Sequence, residues 1–260
     1  MNQLANRIAL ITGAGRGIGR AIALAYAAEG ARVALTARTT SELDEVVGQI
    51  RTAGGTALPF PADLGDRTVP QSLVANVERA LGPVEILVNN AGVGSSSNPR
   101  PVVDFDDVFW DQTLAINLTT PYLLCKAVLP GMLARRWGRI ITIASVNGKI
   151  GSLHGVAYAA SKHGVLGLMR TLAMEVASQG IAVNAICPGP VHTVMNDRRI
   201  EYDAKRRGVA VQEHEASLTP IGRRLEPEEI APLAVYLASP AAAAVIGQAI
   251  NVDGGVLMTG

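Results

Sequence analysis

The run from Arg7 to Gly30 constrains the fold of this chain more than any other. Arg7-Ile-Ala-Leu-Ile-Thr12 is an apolar stretch the length of one strand. Gly13-Ala-Gly-Arg-Gly-Ile-Gly19 follows it, then a helical pattern from Arg20 to Glu29 that Gly30 stops. Strand, glycine turn and helix in this order form the unit in which an open parallel sheet holds a dinucleotide. Glycines let the backbone approach a pyrophosphate closely, and the helix amino end offers free N–H groups and a favourable dipole. Gly13, Arg16, Gly17, Ile18 and Gly19 are therefore candidate phosphate-binding positions.

The same alternation continues along the chain. Apolar runs at 32–37, 56–60, 84–88, 139–144, 181–187 and 244–252 read as further strands. Helical patterns at 41–53, 66–81, 105–117, 121–137, 156–179 and 226–237 separate them, with a break expected near Pro121. The pattern predicts one α/β domain over residues 1–260, a Rossmann-type, doubly wound parallel sheet of about seven strands with helices on both faces. Aromatic residues make up only 4% of the chain, so Ala, Val, Ile and Leu must fill the core, as a buried parallel sheet requires. A net charge of +1 gives no electrostatic reason to expect nucleic acid or a membrane surface as partner. No apolar run reaches membrane-spanning length, Met1 to Arg7 is polar, and Cys125 and Cys187 form neither a disulfide framework nor a metal cluster. A cytoplasmic setting, buried thiols and no metal are expected. Residues 193–220 are polar with balanced charge, the composition of a mobile lid over a substrate. Within them Lys205-Arg206-Arg207 reads as a solvated face or a contact for an anionic tail.

The ends of the predicted strands carry the candidate chemistry. After the second strand, the position where an acid would hold the ribose 2′-hydroxyl of NAD is Ala37, and Arg38 comes next. Arg38, with Arg16 nearby in the glycine turn, favours NADP(H) over NAD(H). After the fourth strand comes Asn89-Asn-Ala-Gly92, at the ligand-facing edge of the sheet, although Asn89 equally suits a turn brace. Asn117 lies in an apolar pattern and needs buried partners, as a brace or as a link in a proton path. Ser145 ends the fifth strand, and Tyr158 and Lys162 stand one helical turn apart. A tyrosine titrates near 10 in water, and an adjacent ammonium favours its phenolate. Tyr158 is thus a candidate general acid/base, with its pKa expected to be lowered by Lys162, and Ser145 a candidate to hold the same substrate oxygen.

In combination, Thr12-Gly-Ala-Gly-Arg-Gly-Ile-Gly19, Asp63-Leu64, Asn89-Asn-Ala-Gly92, Asn117, Ser145, Tyr158-x-x-x-Lys162 and Pro188-Gly189 resemble the short-chain dehydrogenase/reductase family over essentially the whole chain. The resemblance implies an NAD(P)-dependent enzyme, usually a homotetramer, that moves a hydride between nicotinamide and a carbonyl or alcohol carbon. It implies Tyr158 as acid/base, Ser145 as the orienting hydroxyl, Lys162 on the nicotinamide ribose and Asn117 holding a relay water. It places Asp63 and Leu64 at the adenine, Asn90 at the adenosine-side ribose beside Gly92, and Pro188, Gly189, Val191 and Thr193 at the nicotinamide. Within the family, Ser161-Lys-His-Gly-Val-Leu-Gly, Asn184-Ala-Ile-Cys-Pro-Gly and Pro220-Ile-Gly-Arg are most similar to 3-oxoacyl-(acyl carrier protein) reductases and polyketide ketoreductases. Of the basic pair that such reductases present to the acyl carrier protein, Arg136 matches one member and Gln179 replaces the other, which argues against a carrier-borne substrate. The Gln and Lys that hold a carboxylate in bacterial 3-hydroxybutyrate dehydrogenases fall on Gly94 and Gly155, which argues against a small 3-hydroxy acid. Asn147, Lys149, His154 and Met195 are expected at the rim of the substrate pocket. The leading expectation is an NADPH-dependent ketone reductase acting on a small molecule. An alcohol, sugar-alcohol or hydroxy-acid dehydrogenase working oxidatively is the alternative, and a non-catalytic nucleotide-binding protein a remote one.

Overall fold

Seven parallel strands form one sheet in the order β3-β2-β1-β4-β5-β6-β7 in the computed structural model, which describes residues 2–258. The strands are β1 (Ile8–Thr12), β2 (Arg32–Thr36), β3 (Thr56–Pro59), β4 (Ile86–Asn89), β5 (Gly138–Ile143), β6 (Ile181–Pro188) and β7 (Ala249–Val252). Successive side chains point to opposite faces, so each central strand feeds two cores. In β1, Ala9 and Ile11 pack on one face and Ile8 and Leu10 on the other. Helices α1 (Gly17–Ala28), α2 (Thr40–Thr52) and α9 (Pro227–Ala238) cover the first face. Helices α3 (Val69–Leu81), α5 (Thr120–Arg135) and α6 (Val156–Val176) cover the second. Tyr26 of α1 is fully buried and donates its hydroxyl to the Ala234 carbonyl of α9 at 2.9 Å, which satisfies the one polar group in that contact.

The chain order reverses between β1 and β4, so the crevice at their carboxyl ends is the expected ligand position of a doubly wound sheet. Two elements differ from the sequence expectation there. The helical run does not break at Pro121: α4 (Asp107–Leu114) passes through one π turn (Ala115–Thr119) directly into α5. Pro121 follows the π turn at once, where the regular i→i−4 ladder is already interrupted, and Asn117 lies in the π turn. The last strand is shorter than 244–252, because a 3-10 turn at Pro240–Ala242 and Gly247 at φ +69° deliver the chain to the sheet only near Gln248. Residues 193–220 contain two helices, α7 (Val194–Arg207) and α8 (Val211–Ala216), seated across the carboxyl edge. No helix among the described residues is long and apolar enough to cross a membrane.

Candidate active site

A single cleft of about 1100 Å³ runs along the carboxyl edge from Arg38 to Tyr158. Its floor is the glycine turn. Gly13 and Gly17 sit at φ +63° and +54°, a region costly for any residue with a Cβ. A Cβ on Gly19 would collide with the Gly13 carbonyl and the Asn90 side-chain amide. Thr12 and Asn90 staple the first and fourth strand ends together. The Thr12 hydroxyl donates to Val88 O at 3.2 Å and accepts from the Asn90 and Ala91 amides, each at 2.9 Å. Asn90 Nδ2 in turn donates to Thr12 O at 2.9 Å and Gly13 O at 3.1 Å. Asn90, expected at a ribose, lines the cleft, and its Nδ2 is engaged by the turn it braces.

At the end of the cleft near β2 and β3, Asp63 and Leu64 line the wall, with Asp63 held in its own turn by the Gly65 amide at 2.9 Å. Arg38 is exposed beside them, while Arg16 lies 3.3 Å from Glu42, the first-turn carboxylate of α2. At the opposite end Pro188, Gly189, Val191 and Thr193 form the wall after β6. Thr193 caps α7 by accepting from the Asn196 amide at 3.2 Å, and its methyl faces Gly17, which sets the start of α7 against the glycine turn. Gly92 also lines the cleft, where a Cβ would come to 3.1 Å from Asn117 Oδ1. Asn117 itself stands behind this wall, 2% exposed. Its Oδ1 accepts from Val93 N at 2.9 Å, and its Nδ2 donates to Val93 O at 3.0 Å and Ser161 Oγ at 3.1 Å. Its side-chain amide thus braces the loop after β4 against α6.

Ser145, Tyr158 and Lys162 converge on the cleft. Ser145 Oγ accepts from the Asn147 amide at 3.1 Å. Lys162, 6% exposed, donates to the Ile143 carbonyl at 2.9 Å, and its Nζ lies 5.6 Å from the Tyr158 ring centroid. Burial decides the proton affinities, and it overturns the expected acidic tyrosine. Desolvation pushes Tyr158 above its ordinary value, with the Ser145 hydroxyl partly opposing it. The same desolvation lowers Lys162 to about 8. In the unfolded chain Lys162 returns to 10.5, so the folded protein binds fewer protons between these values and stability rises with pH across that window. Below pH 8 the buried ammonium costs on the order of 3 kcal/mol. Lys162→Met is therefore expected to be more stable than the parent at pH 7, an advantage that fades by pH 10.5, as denaturant unfolding across pH will show.

The expected rim residues divide. Asn147 and Met195 line the cleft. Asn147 turns its amide to Gly151 O at 3.2 Å, and Met195 packs over Gly94, whose missing side chain makes room for it. His154 does not line the cleft: at φ +57° its Nδ1 turns outward to the Tyr202 hydroxyl of α7 at 2.6 Å. Lys149 also points away, held by Ala249 O and Asn251 Oδ1 at 2.6 Å each. Both thiols are buried, and burial pushes Cys125 up to about 12.

A family model for short chain dehydrogenases matches residues 7–203. The chain belongs to this family. It is 43% identical over 257 residues to a Streptomyces violaceoruber protein named as a ketoacyl reductase of the granaticin polyketide synthase, with 97% of this chain and 93% of the relative aligned. It is 38% identical over 260 residues to a D-beta-hydroxybutyrate dehydrogenase of Rhizobium meliloti, covering 96% and 98% of the two chains. A crystallised variant of actinorhodin polyketide ketoreductase with NADPH superposes with a TM-score of 0.91 at 40% identity over 98% of each chain. In this short-chain dehydrogenase, Glu42 and Arg199 also line the cleft, and sequence reasoning missed them. Arg199 ties α7 to both rim loops, donating to Ser95 Oγ at 3.1 Å and Leu153 O at 2.7 Å while pairing with Asp203 at 2.6 Å. In sequence it is one charge in a balanced polar run, and only its contacts distinguish it.

Proposed function

We propose that this chain reduces a ketone of β-ketoacyl type to a secondary alcohol with NADPH, with Tyr158 as general acid. The observation that carries the reading is the convergence of Ser145, Tyr158 and Lys162 at one end of a cleft whose other end is lined by a glycine cradle and the exposed Arg38. The cradle fits a dinucleotide, since Gly13, Gly15 and Gly17 put backbone without side chains on the cleft wall at the amino end of α1. The glycine turn would hold the pyrophosphate, Arg38 the 2′-phosphate, Asp63 and Leu64 the adenine, and Lys162 the nicotinamide ribose. Pro188, Gly189, Val191 and Thr193 would flank the nicotinamide. Bound there, NADPH supplies the hydride. Ser145 holds the substrate oxygen, and Tyr158, kept neutral by burial, gives its proton to that oxygen as negative charge develops on it. The chain's own contribution is orientation and a fixed polar environment.

The relatives named as ketoacyl reductase and polyketide ketoreductase, the latter crystallised with NADPH, support reduction and the cofactor. Against a small hydroxy acid, Gly94 lies beneath Met195 and Gly155 beside Ser95 and Ser152, so neither position offers a group to a carboxylate. A free or thioester-bound small molecule is favoured over a carrier-borne one, because Gln179 leaves Arg136 without the second basic residue of the pair. A homotetramer in the cytoplasm completes the proposal by family resemblance, and light scattering tests the assembly.

The decisive assay follows NADPH absorbance with a panel of ketones that includes a β-ketoacyl thioester. Consumption with the thioester supports the reading. Turnover confined to alcohols with oxidised cofactor would favour the dehydrogenase alternative. Arg38→Ala is expected to weaken NADPH about 10- to 100-fold, the worth of one charged hydrogen bond, and to leave NADH nearly unchanged in fluorescence titrations.

A further inference from the structure

The adenosine end of the cleft holds more charge than two arginines. Arg38 makes no hydrogen bond or ion pair among the described residues. Arg16 is not free in the same way, for its Nη1 is 3.3 Å from Glu42 Oε1. The other Glu42 oxygen lies 2.9 Å from where a Cβ of Gly15 would stand, and that point is 3.7 Å from Ala37 Cβ. The carboxylate is thus wedged between the glycine turn and the end of β2, and Gly15, Arg16, Ala37, Arg38 and Glu42 all line the cleft. In an open α/β sheet an acid at the end of the second strand meets the ribose 2′-position. Here Ala37 lacks the acid, and Glu42 reaches the same region from the first turn of the next helix.

We infer that Glu42 sets cofactor specificity: its carboxylate masks Arg16 and opposes a ribose 2′-phosphate, so the site discriminates between NADP(H) and NAD(H) less than its two arginines would allow. Arg38 takes the phosphate, and Arg16 joins it only by giving up Glu42. A carboxylate beside an incoming phosphate is a like-charge contact, strongest at low salt. With NAD(H) there is no such repulsion, and a carboxylate can accept from the ribose hydroxyl. A carboxylate in the first turn of α2 also suits the helix dipole, but that role would change stability without changing the cofactor ratio.

The inference rests on the NADP(H) reading, and one set of titrations separates the two. Dissociation constants for NADPH and NADH are measured by fluorescence for the parent, Glu42→Gln, Arg16→Gln and the double variant, with Glu42→Ala as a second neutral replacement. Removing the carboxylate is expected to tighten NADPH about tenfold, as for one like charge at a part-exposed site, with NADH unchanged or weaker. Arg16→Gln is expected to weaken NADPH only slightly in the parent and about tenfold in the Glu42→Gln background, a coupling that two independent residues would not give. Parallel changes in both cofactors, or none, would overturn the role of Glu42. A parent that binds NADH more tightly than NADPH would overturn the cofactor reading, while the ratio change in Glu42→Gln still judges Glu42 separately.

Discussion

Tyr158→Phe is expected to lower kcat for ketone reduction about a thousandfold, within the range for loss of a general acid, while the NADPH dissociation constant stays within a few-fold. The substitution removes one oxygen and keeps the ring, so the packing of α6 around it survives. Lys162 does not depend on that oxygen, because its ammonium is anchored on Ile143 O. What disappears is the phenol beside Ser145 at that end of the cleft, a donor that burial keeps protonated well above neutral pH. Burial makes Tyr158 a weaker acid, yet the group it protonates is an alkoxide in the making, a far stronger base than a phenolate. A high pKa therefore keeps the proton available at working pH without reversing the direction of transfer. Single-turnover absorbance of NADPH with saturating ketone measures the chemical step directly. Retention of more than about a tenth of the parent rate would remove Tyr158 from the mechanism, since a general acid contributes at least a hundredfold.

The parts of the site that could be read from the sequence are those set by local geometry. Tyr158 and Lys162 share a helix face because they are four residues apart, and Ser145 is placed by the end of an apolar run. The glycine turn was legible because nothing but missing side chains suits that backbone. Properties that depend on what folds over a residue were not legible. The direction of the Tyr158 shift was misjudged because an adjacent lysine is visible in a sequence and a desolvated environment is not. The π turn at Ala115–Thr119 carries no periodic signature, so Pro121 read as a break when it is tolerated directly after that turn. Glu42 meets Arg16 across 26 positions of chain, and His154 is drawn off the rim by Tyr202 across 48. Contacts at such separations follow from the crossover of the sheet, not from spacing.

The second large effect is expected at Gly19, where the ordinary rule for helices should reverse. Gly19 is in the first turn of α1, and replacing a helical glycine with alanine normally gains up to about 1 kcal/mol. Gly48 in α2 is the control: a Cβ there meets nothing within 4 Å, so Gly48→Ala should stabilise the protein by roughly that amount. At Gly19 the same methyl group would run into the Gly13 carbonyl and the Asn90 amide, the two groups that join the glycine turn to the end of β4. Neither is the free end of a flexible side chain. Gly13 is held at φ +63°, and Asn90 Nδ2 also bonds Thr12 O, so relief of the clash must open the staple itself. Gly19→Ala is expected to destabilise the chain by about 1–3 kcal/mol, the range for overpacking. Because the displaced groups form the cradle, NADPH affinity should fall about a hundredfold or more, as when pre-organised contacts to a phosphate are lost together. Denaturant unfolding and fluorescence titration of the two alanine variants, made side by side, check both signs. A Gly19→Ala protein as stable as Gly48→Ala, with NADPH affinity intact, would mean that the turn does not need this glycine to hold a pyrophosphate.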